Sequence, residues 1–194
     1  MKTNTLKFFL VMLLSAFMIS CNNQGARDRD NINDSVELND NDNDMLGDED
    51  RDIDFMEEAA YGGLLEVELG QYAQQNAQDA RVRNFGAMMV RDHSKANNEL
   101  KALAASKNIT IPTALDDKHL DKINDIKEKR GFEFDKAYMK EMIDDHENDV
   151  DKFKKQAEKG NDADIKAFAA NTLSILLMHQ DSAKNIKDYI DNRD

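Results

Sequence analysis

Four residues of this chain carry side chains able to bind a cation, each at a position where helical periodicity calls for an apolar residue: Glu66, His93, His146 and His179. The pattern is clearest around Asp144-Asp145-His146-Glu147. A helix here places Met139, Met142, Val150 and Phe153 in one stripe, because residues three, four and seven apart share a face. His146 falls in the middle of that stripe. Three imidazoles and one carboxylate suit a single transition-metal ion, zinc, copper or iron. The same four groups can also form a buried, metal-free hydrogen-bond network that fixes helix register. Asp92, Asp145 and Glu147 neighbour the histidines in sequence but point about 100° away, so they read as surface or supporting groups. No Glu stands three residues before His93, His146 or His179, so the Glu-x-x-His pattern of di-iron bundles is missing. No Ser-His-Asp order, glycine-rich phosphate loop or close carboxylate pair marks an enzyme. A metal with an open coordination position could still do redox or hydrolytic work.

Five helical segments must position these residues. The first runs roughly 52–75, with Phe55, Ala59, Gly62, Glu66, Leu69 and Ala73 on one stripe. Gly62, Gly63 and Gly70 each cost about 1 kcal/mol relative to Ala in a helix, which points to a backbone or ligand coming close. Asp79 can cap the second helix, 80–106, whose stripe is Val82, Phe85, Met89, His93, Ala96, Leu100 and Leu103. Pro112 breaks the pattern. Thr113 and Asp116 resemble a cap for a short surface helix, 115–130, which carries His119 on its exposed side and ends at Gly131. The fourth segment, 133–159, has the stripe Tyr138, Met139, Met142, His146, Val150, Phe153 and Ala157, with Gly160 as its stop. The fifth, 163–190, has Ile165, Phe168, Ala169, Thr172, Leu176, His179, Ala183, Ile186 and Ile190.

Length decides the topology. A long helix of this set spans about 40 Å, and the stretch 107–131 can reach about 45 Å. That is enough to return to the end where the second helix began. The expected fold is all-α: a ferritin-like four-helix bundle, up-down-down-up, with a short crossover helix between the second and third bundle helices. An up-down-up-down bundle with the short helix as a lid is the alternative. Asp79-Ala80-Arg81-Val82-Arg83-Asn84-Phe85 and Asp162-Ala163-Asp164-Ile165-Lys166-Ala167-Phe168 form a faint internal repeat, each opening the second helix of a pair. Each polar residue of the quartet lies near the middle of its helix. Middles of antiparallel helices meet at one height, so the quartet should converge inside the bundle.

The rest of the chain reads as an address and a spacer. Residues 1–20 form an export signal, with Lys2 and Lys7 before the apolar run 8–19, which is too short to span a bilayer. Met18-Ile19-Ser20-Cys21 resembles a bacterial lipobox, with Cys21 as the lipidated residue. Several acyl chains on Cys21, at about 0.8 kcal/mol per buried CH₂, would anchor the protein stably. Asn22 in place of Asp favours the outer membrane, with the protein facing the periplasm. Residues 21–50 form a lipidated Cys and an acidic tether too poor in apolar residues to fold, and 51–194 form the bundle domain. A calcium loop at Asp40 would need Gly where Met45 stands. The formal charge of -13 becomes -15 once Lys2 and Lys7 leave with the signal. Such a chain repels phosphate backbones and excludes nucleic acid as a partner. One cysteine excludes an internal disulfide and a Cys-based zinc cluster.

Several stretches together carry a resemblance: 55–68 with its Ala59-Ala60-Tyr61-Gly62-Gly63 run, Asp92-His93-Ser94-Lys95-Ala96-Asn97, Asp145-His146-Glu147 and Lys166-Ala167-Phe168-Ala169. The chain resembles the domain of unknown function 4142 family, long labelled "predicted outer membrane protein", from about Asp52 to Ile186. The resemblance implies a ferritin-like fold and a bacterial envelope setting, and it brings no agreed enzyme activity. It does not imply a membrane barrel, since no strand pattern of alternating residues occurs. Replacing Cys21 by Ser should abolish fractionation with membranes. Mutant protein that still sediments with the membrane contradicts the anchor.

Overall fold

The computed structural model describes residues 47–193. The export signal, Cys21 and nearly all of the tether lie outside the described residues. Five helices follow in order: α1 Asp48–Asn76, α2 Ala80–Ser106, α3 Asp117–Lys127, α4 Gly131–Lys159 and α5 Ala163–Asp191. Helix α1 starts at Asp48, so its first turn takes in residues assigned above to the tether. An acidic turn without an apolar residue leaves no periodic trace. None of the helices among the described residues is long and apolar enough to cross a membrane.

Side-chain contacts give the direction of each helix. Phe55 meets Phe153, Glu58 pairs with Lys152 at 2.8 Å and Glu66 meets His146, so α1 and α4 are antiparallel. Arg81 stacks on Tyr189 and Asp92 meets His179, so α2 and α5 are antiparallel too. Within each hairpin the helices also oppose, as Gly70 faces Gly86 and Phe153 faces Phe168. The order is therefore up-down-down-up, and the chain crosses the length of the bundle between α2 and α4. Helix α3 lies on that crossover and packs on α1 and α4 through buried Ile123 and Ile126.

The ends of the elements show which local signals act. Asp79 caps α2 by accepting from the Arg81 N–H at 2.7 Å, and Asp162 caps α5 by accepting from Asp164 and Ile165. Asp116 caps α3 through the His119 N–H, at 2.9 Å. That helix is shorter than its sequence pattern. Gly131 does not end it; it turns the chain at φ +60° and begins α4. Only glycine adopts that conformation without penalty, and a Cβ there would also crowd Gln78 Oε1 at 2.8 Å. The glycines of α1 act as expected at Gly70, whose added Cβ would stand 2.9 Å from the Gly86 carbonyl of α2. Close backbone approach is what the missing side chains permit.

The internal repeat extends over the whole bundle. One offset of 83 residues carries both helices of the first hairpin onto those of the second, Asp48 to Gly131 and Ala80 to Ala163. Two buried carboxylates obey the same offset. Asp135 accepts from the N–H groups of Gln78 and Asp79, at 2.9 and 2.7 Å, in the α1–α2 turn. Asp52 accepts from the Asn161 and Asp162 N–H groups, the latter at 2.7 Å, and from Gln156 Nε2, at the α4–α5 turn. Each hairpin thus clasps the turn of the other, at opposite ends of the bundle. Hydrogen bonds to a buried charge contribute about 1.5–3 kcal/mol. Asp52→Ala and Asp135→Ala should each destabilise by about 2–3 kcal/mol and add independently, being far apart. Urea melts of the single and double variants check this; losses below half a kcal/mol would contradict the clasp.

Candidate metal centre

All four expected residues meet at mid-height. Glu66 on α1, His93 on α2, His146 on α4 and His179 on α5 are 1%, 6%, 0% and 0% exposed. They lie between two apolar clusters, one around Phe85, Met89, Tyr138 and Met142, the other around Phe55, Leu100, Phe153 and Leu176. The three rings form a triangle with centroids 5.4, 5.2 and 5.3 Å apart. One nitrogen from each ring lies within 4.8 Å of the other two.

The outer nitrogens of His146 and His179 are held by acceptors, and that of His93 lies beside one. His146 Nδ1 donates to the Met142 carbonyl at 2.9 Å and lies 3.2 Å from Glu66 Oε1. His93 Nδ1 stands 2.7 Å from Glu66 Oε2. His179 Nε2 donates to Asp92 Oδ2 at 3.0 Å, and Arg91 donates twice to the same carboxylate. Carboxylate and carbonyl partners of this kind fix the tautomer of metal-binding histidines. Glu66, expected among the ligands, stands behind two rings, and the group of nitrogens that could hold an ion is His93, His146 and His179.

The inner nitrogens are the unusual feature. His146 Nε2 and His179 Nδ1 are 3.2 Å apart. With their protons committed to Met142 and Asp92, both nitrogens present lone pairs. Turning either ring to its other neutral tautomer moves the conflict elsewhere, to a carbonyl that cannot donate or to the Asp92 carboxylate. His93 Nε2 is buried with no hydrogen-bond partner, and neither Glu66 oxygen has a well-aligned one. Two nitrogens bound to one tetrahedral ion at about 2.0–2.1 Å would themselves be about 3.3 Å apart.

The family model for "Domain of unknown function (DUF4142)" matches residues 39–186. The chain belongs to that family. A solved structure described as "Crystal structure of DUF305 fragment from Deinococcus radiodurans" is similar in fold, with a TM-score of 0.64 and 8% sequence identity. The match covers 72% of this chain and 96% of that one. At that identity the likeness shows the fold alone, a ferritin-like helical arrangement. Comparison with curated proteins gives no match.

Burial governs the electrostatics of the site. It lowers each of His93, His146 and His179 from 6.5 to about 4, against the pull of Asp92 on His93 and His179 and of Glu66 on His146. Burial also raises Glu66 from 4.5 to about 7, although the charge of His146 works the other way. Asp92 is held below its usual value, chiefly by the hydrogen bond from Arg91. At neutral pH the site therefore holds three neutral imidazoles and an ionised Asp92.

Two neighbours were not visible as site residues. Tyr138 sits on the core stripe as expected, but its buried hydroxyl has no partner, and burial with Glu66 nearby raises its pKa well above normal. Asp149 lies on α4 one turn beyond His146. The only signal that singles it out is the repeat, which pairs Glu66 with Asp149 at the same offset of 83. His119, expected to be exposed, stacks on Tyr61 at 4.8 Å and is only a quarter exposed. Asp145 pairs with Lys122 at 3.0 Å, and Glu147 is exposed.

A pH dependence follows. Asp145 and Asp149 are each raised from 3.8 to about 8, first by burial, with the charge of Glu66 adding to both. Together with Glu66 they keep protons when folded that the unfolded chain has already lost, so their stabilising contribution disappears as pH rises through about 7 and 8. The three histidines, lowered when folded, oppose this loss until the unfolded chain has shed their protons, about one pH unit above 6.5. Metal-free protein should lose stability between about pH 6.5 and pH 8, by up to about 1.4 kcal/mol per pH unit for each retained proton. Urea midpoints across that interval test this. A flat or rising profile contradicts it.

Proposed function

We propose that this chain is a lipid-anchored protein of the bacterial envelope, held at the outer membrane through Cys21 and facing the periplasm, whose bundle binds one transition-metal ion for storage, buffering or sensing. The proposed ligands are His93, His146 and His179, with Glu66 and Asp92 orienting the rings and balancing charge. The observation that carries the metal reading is the 3.2 Å approach of His146 Nε2 and His179 Nδ1 in a dry interior, with the outer nitrogen of each ring facing an acceptor, from which we infer two opposed lone pairs. A cation between them converts that repulsion into two bonds. Three imidazoles suit zinc, copper or iron. The lipobox-like Met18-Ile19-Ser20-Cys21, with Asn22 after it, supports the anchor.

A second reading belongs to another class: a structural or stress-related envelope protein whose cluster is a metal-free network. The contact of Glu66 with two rings favours it, because a proton shared by His146 and His179 would be balanced by that carboxylate. The downward shift of all three histidines works against an imidazolium at neutral pH.

Elemental analysis of protein purified without chelator, followed by zinc, copper and iron titration of stripped protein, separates the two. The metal reading expects one equivalent, stabilisation of about 2.7 kcal/mol at a hundredfold excess over Kd, and loss of both in His146→Ala and His179→Ala. Substoichiometric metal with no thermal shift contradicts it. In the metal-free reading His146→Leu is tolerated or stabilising, as replacement of buried polar clusters by apolar groups often is.

A further inference from the structure

We propose that metal reaches the histidines through the other, histidine-free half of the bundle, passing the Asp149 carboxylate; this rests on the metal reading above. The offset of 83 residues maps Glu66, His93, His146 and His179 onto Asp149, Leu176, Gly63 and Ala96. All four counterparts line one small cavity of about 20 Å³, beside the histidine cluster. The counterparts of His146 and His179 are a glycine and an alanine; the Asn97 side chain packs against Gly63 in part of the space their imidazoles would fill, and the small cavity is what remains. Glu66 and His93 also line that cavity, so it touches the site directly. A volume of about 15 Å³ already admits a water, and a dehydrated divalent ion is no larger.

The cavity has an outward neighbour. A surface groove of about 350 Å³ runs between α1, α3 and α4, bordered by Glu58, Tyr61, His119, Lys122, Asp145 and Asp149. Asp149 borders both spaces, with its Oδ2 against the α1 backbone at Gly62, where a Cβ would lie 3.4 Å away. Asp145 Oδ2 in the groove is buried and has no hydrogen-bond partner. Lys122 pairs with Glu141 and Asp145, and Lys152 pairs with Glu58 at 2.8 Å. An incoming divalent cation would displace the Lys122 ammonium from Asp145 and the proton that buried Asp149 keeps, and meet Glu66 and His93 next. The half of the duplicated bundle that lacks donors thus acts as the vestibule of the half that has them.

The test is stopped-flow association of zinc ion with the full chain stripped of metal, beside equilibrium titration. Asp149→Asn should slow association by about tenfold, the low end of what a charge-lined cleft contributes to on-rates. Stoichiometry should stay at one, and dissociation should slow in parallel. Lys122→Gln, at a half-exposed position, should speed association, and it serves if Asp149→Asn folds poorly. Unchanged association rates in both variants overturn the route while leaving the metal site standing. A weaker equilibrium affinity with an unchanged association rate also overturns it, because Asp149 would then act only on the bound state. Wild-type protein that binds no zinc, copper or iron defeats the metal reading itself, and the route with it.

Discussion

The structure turns on a confrontation between two nitrogen atoms. His146 and His179 come from neighbouring helices, and each ring has its outer N–H bound to a fixed acceptor, the Met142 carbonyl or the Asp92 carboxylate. What remains on the inside is two lone pairs at 3.2 Å. In water such a clash would be relieved by solvent. Here both rings are fully buried, and an unpaired polar group in a dry interior costs about 1–3 kcal/mol. A proton would relieve the strain, but burial opposes a charged imidazole. A metal ion brings charge as well, yet it forms bonds to both nitrogens and has Glu66 and Asp92 on hand for neutrality. The apolar clusters above and below the site keep the helices from moving apart to let water in.

The duplicated architecture explains how one bundle can hold so polar a centre. The two hairpins share helix starts, cap residues and the reciprocal Asp52 and Asp135 clasps at an offset of 83. The clasps fix the height of each hairpin against the other, and that height decides whether the four mid-helix residues meet. The halves then diverge where it matters chemically. One set carries Glu66, His93, His146 and His179, and its mate carries Asp149, Leu176, Gly63 and Ala96. Only the carboxylate role survives in both, and the crowding of buried carboxyls along α4 and α1 follows from that.

Much of this was legible in the sequence. The stripes of α2, α4 and α5 located His93, His146 and His179, because an imidazole in a register of Phe, Met and Leu stands out. The length of 107–131 favoured the crossover topology over the up-down-up-down alternative. Other features were hidden for physical reasons. Whether Glu66 is a ligand or a carboxylate orienting the rings depends on side-chain placement finer than periodicity resolves, so the two look alike in sequence. Gly131 reads as a helix stop, yet it works by adopting a positive φ at the start of the next helix. Asp52 and Asp135 sit among many other acids, and their partners are backbone N–H groups 56 to 110 residues away in the chain. Asp149 was one more charge on an acidic helix until the repeat set it opposite Glu66.

The central claim concerns where the protons of two rings reside, and nitrogen NMR reads that directly. Long-range proton–nitrogen correlation of the histidine rings in metal-free protein at pH 7 should show His146 protonated only at Nδ1 and His179 only at Nε2. The two facing nitrogens should then both shift on addition of one equivalent of zinc. An imidazolium at either ring, unmoved by metal, would contradict the account and leave the cluster as a self-contained structural network.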